Sequence, residues 1–215
     1  MKYALSLILG VVFTVAATAQ TGNEKDLIIL SPFEIDRVLG SFPAPGSVAE
    51  GEDLEILRKY QENRTKKDCQ LAAQQESATL GSLFGHLLTR AEVEELSIDF
   101  LKQYGEAGGN AYLAKKLYGR PRPYDSHRDL KPCISKETSE SYPSGHATVA
   151  RVFARLLANK FPKRAAAFIK AGNQAALNRV IGGVHYPSDV LAGIKLGDHL
   201  ADKMIRDNQR RNRRD

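Results

Sequence analysis

Residues 142–160 read YPSGHATVARVFARLLANK, and residues 178–189 read NRVIGGVHYPSD. In the first stretch a Pro-Ser-Gly turn leads directly into good helix formers, so a helix is expected from Gly145 to Lys160. Arg151, Arg155 and Lys160 interrupt its apolar residues as on an amphipathic surface helix. The backbone N–H groups of Ser144, Gly145 and His146 would then sit at the positive end of that helix, where an anion is favoured, and Gly145 lets the backbone approach closely. In the second stretch His185 and Asp189 are four residues apart. If one helical turn joins them, the carboxylate can hold one ring nitrogen and leave the other neutral and aimed at a substrate, as a histidine nucleophile requires.

Working outward, Glu92 to Glu106, Ala111 to Tyr118, Arg164 to Val180 and Ser188 to Arg206 all favour helix formers, and alternating β patterns are nearly absent. The expected fold class is all-α, a single compact helical-bundle domain. Ser47 with Glu50 fits a capping pattern that opens a helical stretch to about Gln75, and Gly81 and Gly85 mark a break. Residues 20–46, with Pro32, Pro43, Pro45 and Gly46, read as a loosely structured arm, 47–205 as the domain, and 206–215 as a basic tail. The longest stretch without helical character runs from Arg120 to Pro143, and a long loop inside a compact domain is often functional. Just before it, Lys115 and Arg122 are seven residues apart, so a helix reaching Pro123 would present both on one face. Arg grips two oxygens of an oxyanion with its planar fork, whereas Lys acts more as a point charge.

With 215 residues, 42% apolar and 26% charged, the chain has the composition of one globular domain. Its first residues, MKYALSLILGVVFTVAATAQ, read as a cleavable signal peptide over 1–19, which predicts a periplasmic or secreted protein. No later segment is both long and uncharged, so no membrane span is expected in the mature chain. The last ten residues, RDNQRRNRRD, hold five Arg against two Asp. Such a run can grip nucleic acid, yet a frayed, solvated terminus is the commoner explanation, so no obligate nucleic-acid partner is expected. A homo-oligomer is compatible with the sequence. Cys69 and Cys133 could form one disulfide in an oxidising compartment, although sequence alone does not bring them together. His86, His127 and His199 lie far apart, without the close ligand spacings of a metal site, and are read as structural or surface residues.

Taken together and in order, Lys115-x6-Arg122-Pro123, Pro143-Ser144-Gly145-His146 and Arg179-x5-His185-x3-Asp189 are similar to the signature of the type 2 phosphatidic acid phosphatase (PAP2) and vanadium haloperoxidase superfamily. Within it, FPAPGS at 42–47 and SYPSGH at 141–146 resemble the bacterial class A non-specific acid phosphatases. The resemblance implies a helical bundle of that type. It implies hydrolysis of small-molecule phosphate monoesters through a phospho-histidine, with no metal and no cofactor, and inhibition by vanadate. His185 would be the nucleophile, Asp189 its orienting partner and His146 the general acid; Lys115, Arg122, Ser144, Gly145 and Arg179 would bind phosphate. Five such donors suit a transition state whose charge spreads over equatorial oxygens. Other readings are a lipid-phosphate phosphatase, a haloperoxidase, and a non-catalytic phosphate- or nucleic-acid-binding protein. Two positions depart from the family pattern. Its Ser before the Arg is Asn178, for which altered support of Arg179 or the pocket is expected. Its Cys three residues after that Arg is Gly182, which leaves Cys69 as the only partner for Cys133.

Overall fold

The structure is a computed structural model that describes residues 27–213; the signal-peptide reading of 1–19 lies outside the described residues. Among these residues the chain forms α1 (Pro32–Leu39), α2 (Val48–Asn63), α3 (Lys66–Gln74), α4 (Leu80–Phe84), α5 (Arg90–Tyr118), α6 (Pro123–Ser126), α7 (Gly145–Lys160), α8 (Ala165–Ile181) and α9 (Pro187–Arg211), and no strand.

The boundaries correct the sequence reading in several places, each for a local reason. The arm read as loosely structured contains α1. Ser31 caps it by accepting from the Glu34 N–H at 3.2 Å, Pro32 occupies its first turn, and Gly40 ends it at φ 66°. Its buried Ile35 and Leu39 join the core. The stretch from Ser47 to Gln75 is two helices, because Arg64 turns extended and Thr65 with Asp68 forms a new capping box. Conversely α5 is one helix of 29 residues, running through Gly105, Gly108 and Gly109 where two helices were expected. Each glycine costs a helix about 1 kcal/mol. Burial of Ala107, Ala111 and Ala114 against the bundle and the hydrogen bonds of buried Asn110 offset that cost: Asn110 accepts from Leu30 N–H and donates to Ile28 O, both at 2.7 Å. At the other end α9 continues to Arg211, so most of the supposed frayed tail is helical.

α7 is the central helix, packed by α5, α8 and α9. Two glycines set how closely its neighbours approach. A Cβ on Gly193 of α9 would lie 2.4 Å from the Ser144 carbonyl oxygen, and one on Gly172 of α8 would lie 2.6 Å from Ala154 Cβ. Contact at Gly193 puts the N-terminal part of α9, with Asp189, against the N-terminus of α7, with Ser144 to His146. Phe84, Phe153, Phe168, Leu157, Leu196 and Leu200 fill the space between the helices. The cysteines do meet: Cys69 on α3 and Cys133 in the loop after α6 form a disulfide with 5.8 Å between Cα atoms. No helix among the described residues is long and apolar enough to cross a membrane.

Candidate active site

His185 lies in the α8–α9 connection, and Asp189 is the third residue of α9. They are joined by a helix cap rather than by a full helical turn: Asp189 Oδ2 accepts from the Tyr186 N–H at 3.0 Å and lies 3.3 Å from His185 Nδ1. Arg122 Nη1 is 3.0 Å from His185 Nε2. A guanidinium only donates, so Nε2 is the acceptor and the ring proton sits on Nδ1, facing Asp189. Burial, then Arg122 and Lys115, push the His185 pKa well down, so the ring is neutral with its lone pair on the cationic side.

Asp189 has further donors. Ser141 Oγ donates to Oδ2, and Arg120 Nη1 donates to Oδ1 at 2.7 Å. Burial pushes its carboxyl up, while Arg120, Ser141 and the Tyr186 amide pull against it. Arg120 also donates to Ser188 Oγ at 2.7 Å and to Asp53 Oδ2 at 3.2 Å, and its guanidinium lies 3.7 Å from the centre of the Tyr186 ring.

Lys115 and Arg122 reach the same site from different elements, not from one helix face. Gly119 takes the left-handed conformation at φ 65° and ends α5, and Arg122 is the extended residue that precedes α6. Lys115 Nζ donates to the Glu140 carbonyl and lies 3.4 Å from that of Ser141; burial and then Arg122 lower its pKa to about 8. Arg122 Nε donates to Ser139 O at 2.8 Å, Nη1 to Val184 O at 2.9 Å, and Nη2 to Glu137 Oε2 at 2.6 Å. Arg179, only 2% exposed, donates from Nη2 to Glu137 Oε1 at 2.8 Å, and its Nε and Nη1 have no partner among the described residues. Buried guanidinium N–H groups left unsatisfied are costly unless a ligand oxygen meets them.

The α7 end differs in detail from expectation. The Ser144 amide is not free for an anion, because it donates to the Asp189 carbonyl at 2.9 Å; Ser144 Oγ meanwhile caps the helix by accepting from the Ala147 N–H at 3.3 Å. Ser144 therefore has its hydroxyl proton to offer, and the amides of Gly145 and His146 occupy the first helical positions, which have no intrahelical acceptor. Gly145 faces Lys115 Cε at 3.9 Å from its added Cβ position. His146 Nε2 donates to the Gln75 carbonyl at 2.6 Å, and burial followed by Arg179 lowers its pKa to about 4. Asn178 reaches the side chain of the same Gln75, with its Nδ2 donating to Gln75 Oε1 at 2.7 Å. Lys115, Glu137, Gly145 and His146, with Tyr104 and Ala78, line a pocket of about 250 Å³.

The eight residues singled out in the sequence thus lie around one region. His199 pairs with Glu34 and His127 lies near Glu50, both outside it. Sequence reasoning missed Glu137, Arg120, Ser141, Asp53 and Gln75. Arg120 and Ser141 adjoin the motifs, but nothing in the sequence distinguishes Glu137 from the other acids of its loop. Among the described residues no group of three or more His, Cys, Asp or Glu is arranged to hold a metal.

A helical bundle that buries a His–carboxylate pair beside three cations and a helix N-terminus has the charge distribution that attracts an oxyanion. The model of the PAP2 superfamily matches residues 104–213, and the chain belongs to that superfamily. It is 27% identical to a non-specific acid phosphatase of Providencia stuartii over 197 residues, 82% of this chain and 79% of that one. It is 38% identical to a lipid A 1-phosphatase of Rhizobium johnstonii over 91 residues, 40% of this chain; the match spans 37% of that relative's length. Its fold is similar to that of a transmembrane PAP2-type phosphatidylglycerolphosphate phosphatase from Bacillus subtilis, with a TM-score of 0.53, 22% identity, and coverage of 77% of this chain and 89% of that one. It is also similar to a bacterial vanadium-dependent iodoperoxidase, with a TM-score of 0.57, 18% identity, and coverage of 80% and 53%.

Proposed function

We propose that the chain is a phosphatase that hydrolyses phosphate monoesters through a phospho-histidine, with no metal. The observation that carries this reading is the neutral His185, its proton turned to Asp189 and its Nε2 lone pair turned to the cations. In the first step Nε2 of His185 forms a bond to phosphorus as the ester P–O bond breaks, and His146, its Nε2 proton held by the Gln75 carbonyl and its Nδ1 protonated once the substrate anion is bound, gives the Nδ1 proton to the departing alcohol oxygen. In the second, water attacks phosphorus, His146 takes the water proton, and the P–N bond breaks to release inorganic phosphate and restore His185. Arg122, Arg179, Lys115, the Ser144 hydroxyl and the Gly145 and His146 amides are the donors for the phosphoryl oxygens. The relatives named acid phosphatase support the same reaction class. An exported location agrees with the disulfide, a bond that persists in oxidising compartments.

Phosphate release from an aryl phosphate by the intact chain and by His185→Ala tests the reading. The variant is expected to lose activity by at least a thousandfold, while equal release by both would remove His185 from the chemistry.

A second reading concerns the substrate. Ile98, Leu101 and Tyr104 form an exposed strip of α5 that ends at the pocket, which favours a phosphorylated molecule with an apolar part. A phosphorylated lipid in micelles turned over with higher kcat/KM than the soluble aryl ester would favour it; the reverse order would exclude it.

A further inference from the structure

The two arginines offered to phosphate already share an anion. Glu137 Oε2 accepts from Arg122 Nη2 at 2.6 Å and Glu137 Oε1 accepts from Arg179 Nη2 at 2.8 Å, so one carboxylate spans both guanidinium groups as two phosphoryl oxygens would. The same Arg122 caps the His185 lone pair. The conformation is therefore closed to a phosphoryl group at both the binding groups and the nucleophile.

The surroundings show which part can move. The Glu137 backbone is clamped by a single hydroxyl: Tyr124 Oη accepts from its N–H at 3.0 Å and donates to its carbonyl at 2.6 Å. On either side the loop is fixed by the Cys69–Cys133 bond, by Ser135 N–H on Glu76 Oε1 at 2.8 Å, and by Arg122 Nε on Ser139 O. Tyr124 itself is buried. The side chain of Glu137, however, is 38% exposed and lines the pocket with Lys115, Gly145 and His146. With that exposure, turning the side chain about its own bonds is enough to take the carboxylate towards solvent while the clamped loop stays in place. Nε and Nη1 of Arg179 have no partner among the described residues, in keeping with a carboxylate whose two oxygens meet fewer donors than the three of a phosphoryl group would.

We propose that Glu137 is an internal competitor for the phosphate site: its carboxylate occupies Arg122 and Arg179 when the site is empty, swings out when a phosphoryl group enters, and returns to help expel inorganic phosphate. The competitor weakens the apparent affinity for every phosphate ligand by the factor with which the closed state outweighs the open one. It does not touch the bond-breaking step. The opposite role, a carboxylate that braces both arginines for the phosphate, uses the same hydrogen bonds and predicts the opposite effect on affinity.

The proposal takes its ligand from the phosphatase reading, and the test separates the two by measuring binding as well as turnover. Calorimetric titration of the intact chain with inorganic phosphate gives one Kd, and steady-state hydrolysis of an aryl phosphate gives KM and kcat. Glu137→Gln keeps the shape and removes the charge. It is expected to bind phosphate at least tenfold more tightly, to lower KM, and to leave kcat equal or reduced as phosphate leaves more slowly. Unchanged or weaker phosphate binding by the variant overturns the competitor and makes Glu137 a brace. Should the Gln variant lack a wild-type melting transition, Glu137→Ser is read by the same criterion. Tighter phosphate binding by a variant, with no hydrolysis by the wild-type chain, would retain the competitor and remove the phosphatase reading instead.

Discussion

Removing Arg120 tests the electrostatic support beneath the histidine. The side chain is 2% exposed and donates to Asp189, Asp53 and Ser188, and both acids are buried. Arg120→Ala leaves two carboxylates without their common cation and opens a void beside Tyr186. Breaking a buried ion pair by deleting one partner costs about 3–5 kcal/mol, because the remaining charge is uncompensated. A chain of this size has a total stability on the order of 5–15 kcal/mol, so the variant should remain folded with its urea midpoint far below wild type. The magnitude has an internal check. Asp53 is held by Arg120 and by the Ser188 N–H and hydroxyl, so Asp53→Asn removes one of the two stranded charges while keeping a group that can still accept. In Arg120→Ala/Asp53→Asn the losses should fall short of additivity by about 1–3 kcal/mol. Urea unfolding followed by far-UV circular dichroism at pH 7 measures all four corners of the cycle. A loss below about 1 kcal/mol for Arg120→Ala, or strict additivity in the double variant, would show that solvent and not Arg120 neutralises these acids.

Two further predictions follow from contacts made at a distance in sequence. The Cys69–Cys133 bond closes a separation of 64 residues, for which the chain-entropy model gives about 4 kcal/mol of stability, so reduction or Cys69→Ser/Cys133→Ser should lower unfolding stability by that order; a loss under 1 kcal/mol would refute it. His146 is held at about 4 by burial and Arg179, below its unfolded value near 6.5, so the unfolded chain takes this proton first, and stability present above pH 6.5 is lost as pH falls towards 4, by about 3 kcal/mol. His146→Gln should flatten that part of the stability–pH curve and saturating phosphate should shrink the loss; an identical curve for the variant would refute the assignment.

The parts of this molecule legible in sequence are those in which a local signal and a tertiary role coincide. Pro143-Ser144-Gly145-His146 is both a helix start and a wall of the site, so reading the turn also located the residues. The break between Lys115 and Arg122 was legible in principle, since Gly119 followed by Pro121 is a helix stop, but the seven-residue spacing suggested a continuous face instead. The glycines of α5 misled in the other direction, because tertiary packing, chiefly on α7, and the hydrogen bonds of Asn110 make the helix run through them. Glu137 and Gln75 were out of reach altogether. Nothing local marks a loop carboxylate that bridges two arginines, or a carbonyl just past α3 that accepts a hydrogen bond from a histidine 71 residues away.

The low pKa of His146 bears on how a general acid can work in this site. Burial and then Arg179 keep the ring neutral, which is the wrong form for protonating a leaving oxygen. Glu137 supplies a single negative charge against Arg122 and Arg179, and Lys115 adds a third cation nearby. A phosphate monoester that takes the place of that carboxylate brings up to two negative charges to the same arginines and sets them beside the α7 N-terminus, next to His146. The net positive charge beside the histidine then falls from three cations against one negative charge to three against two, which shifts the balance towards the imidazolium. In the proposed mechanism, substrate binding would thereby favour the protonated His146 that the first step needs, while His185, its proton turned to Asp189, would keep its lone pair. A neutral histidine in the empty site is accordingly the expected starting state for an acid that is charged by its own substrate.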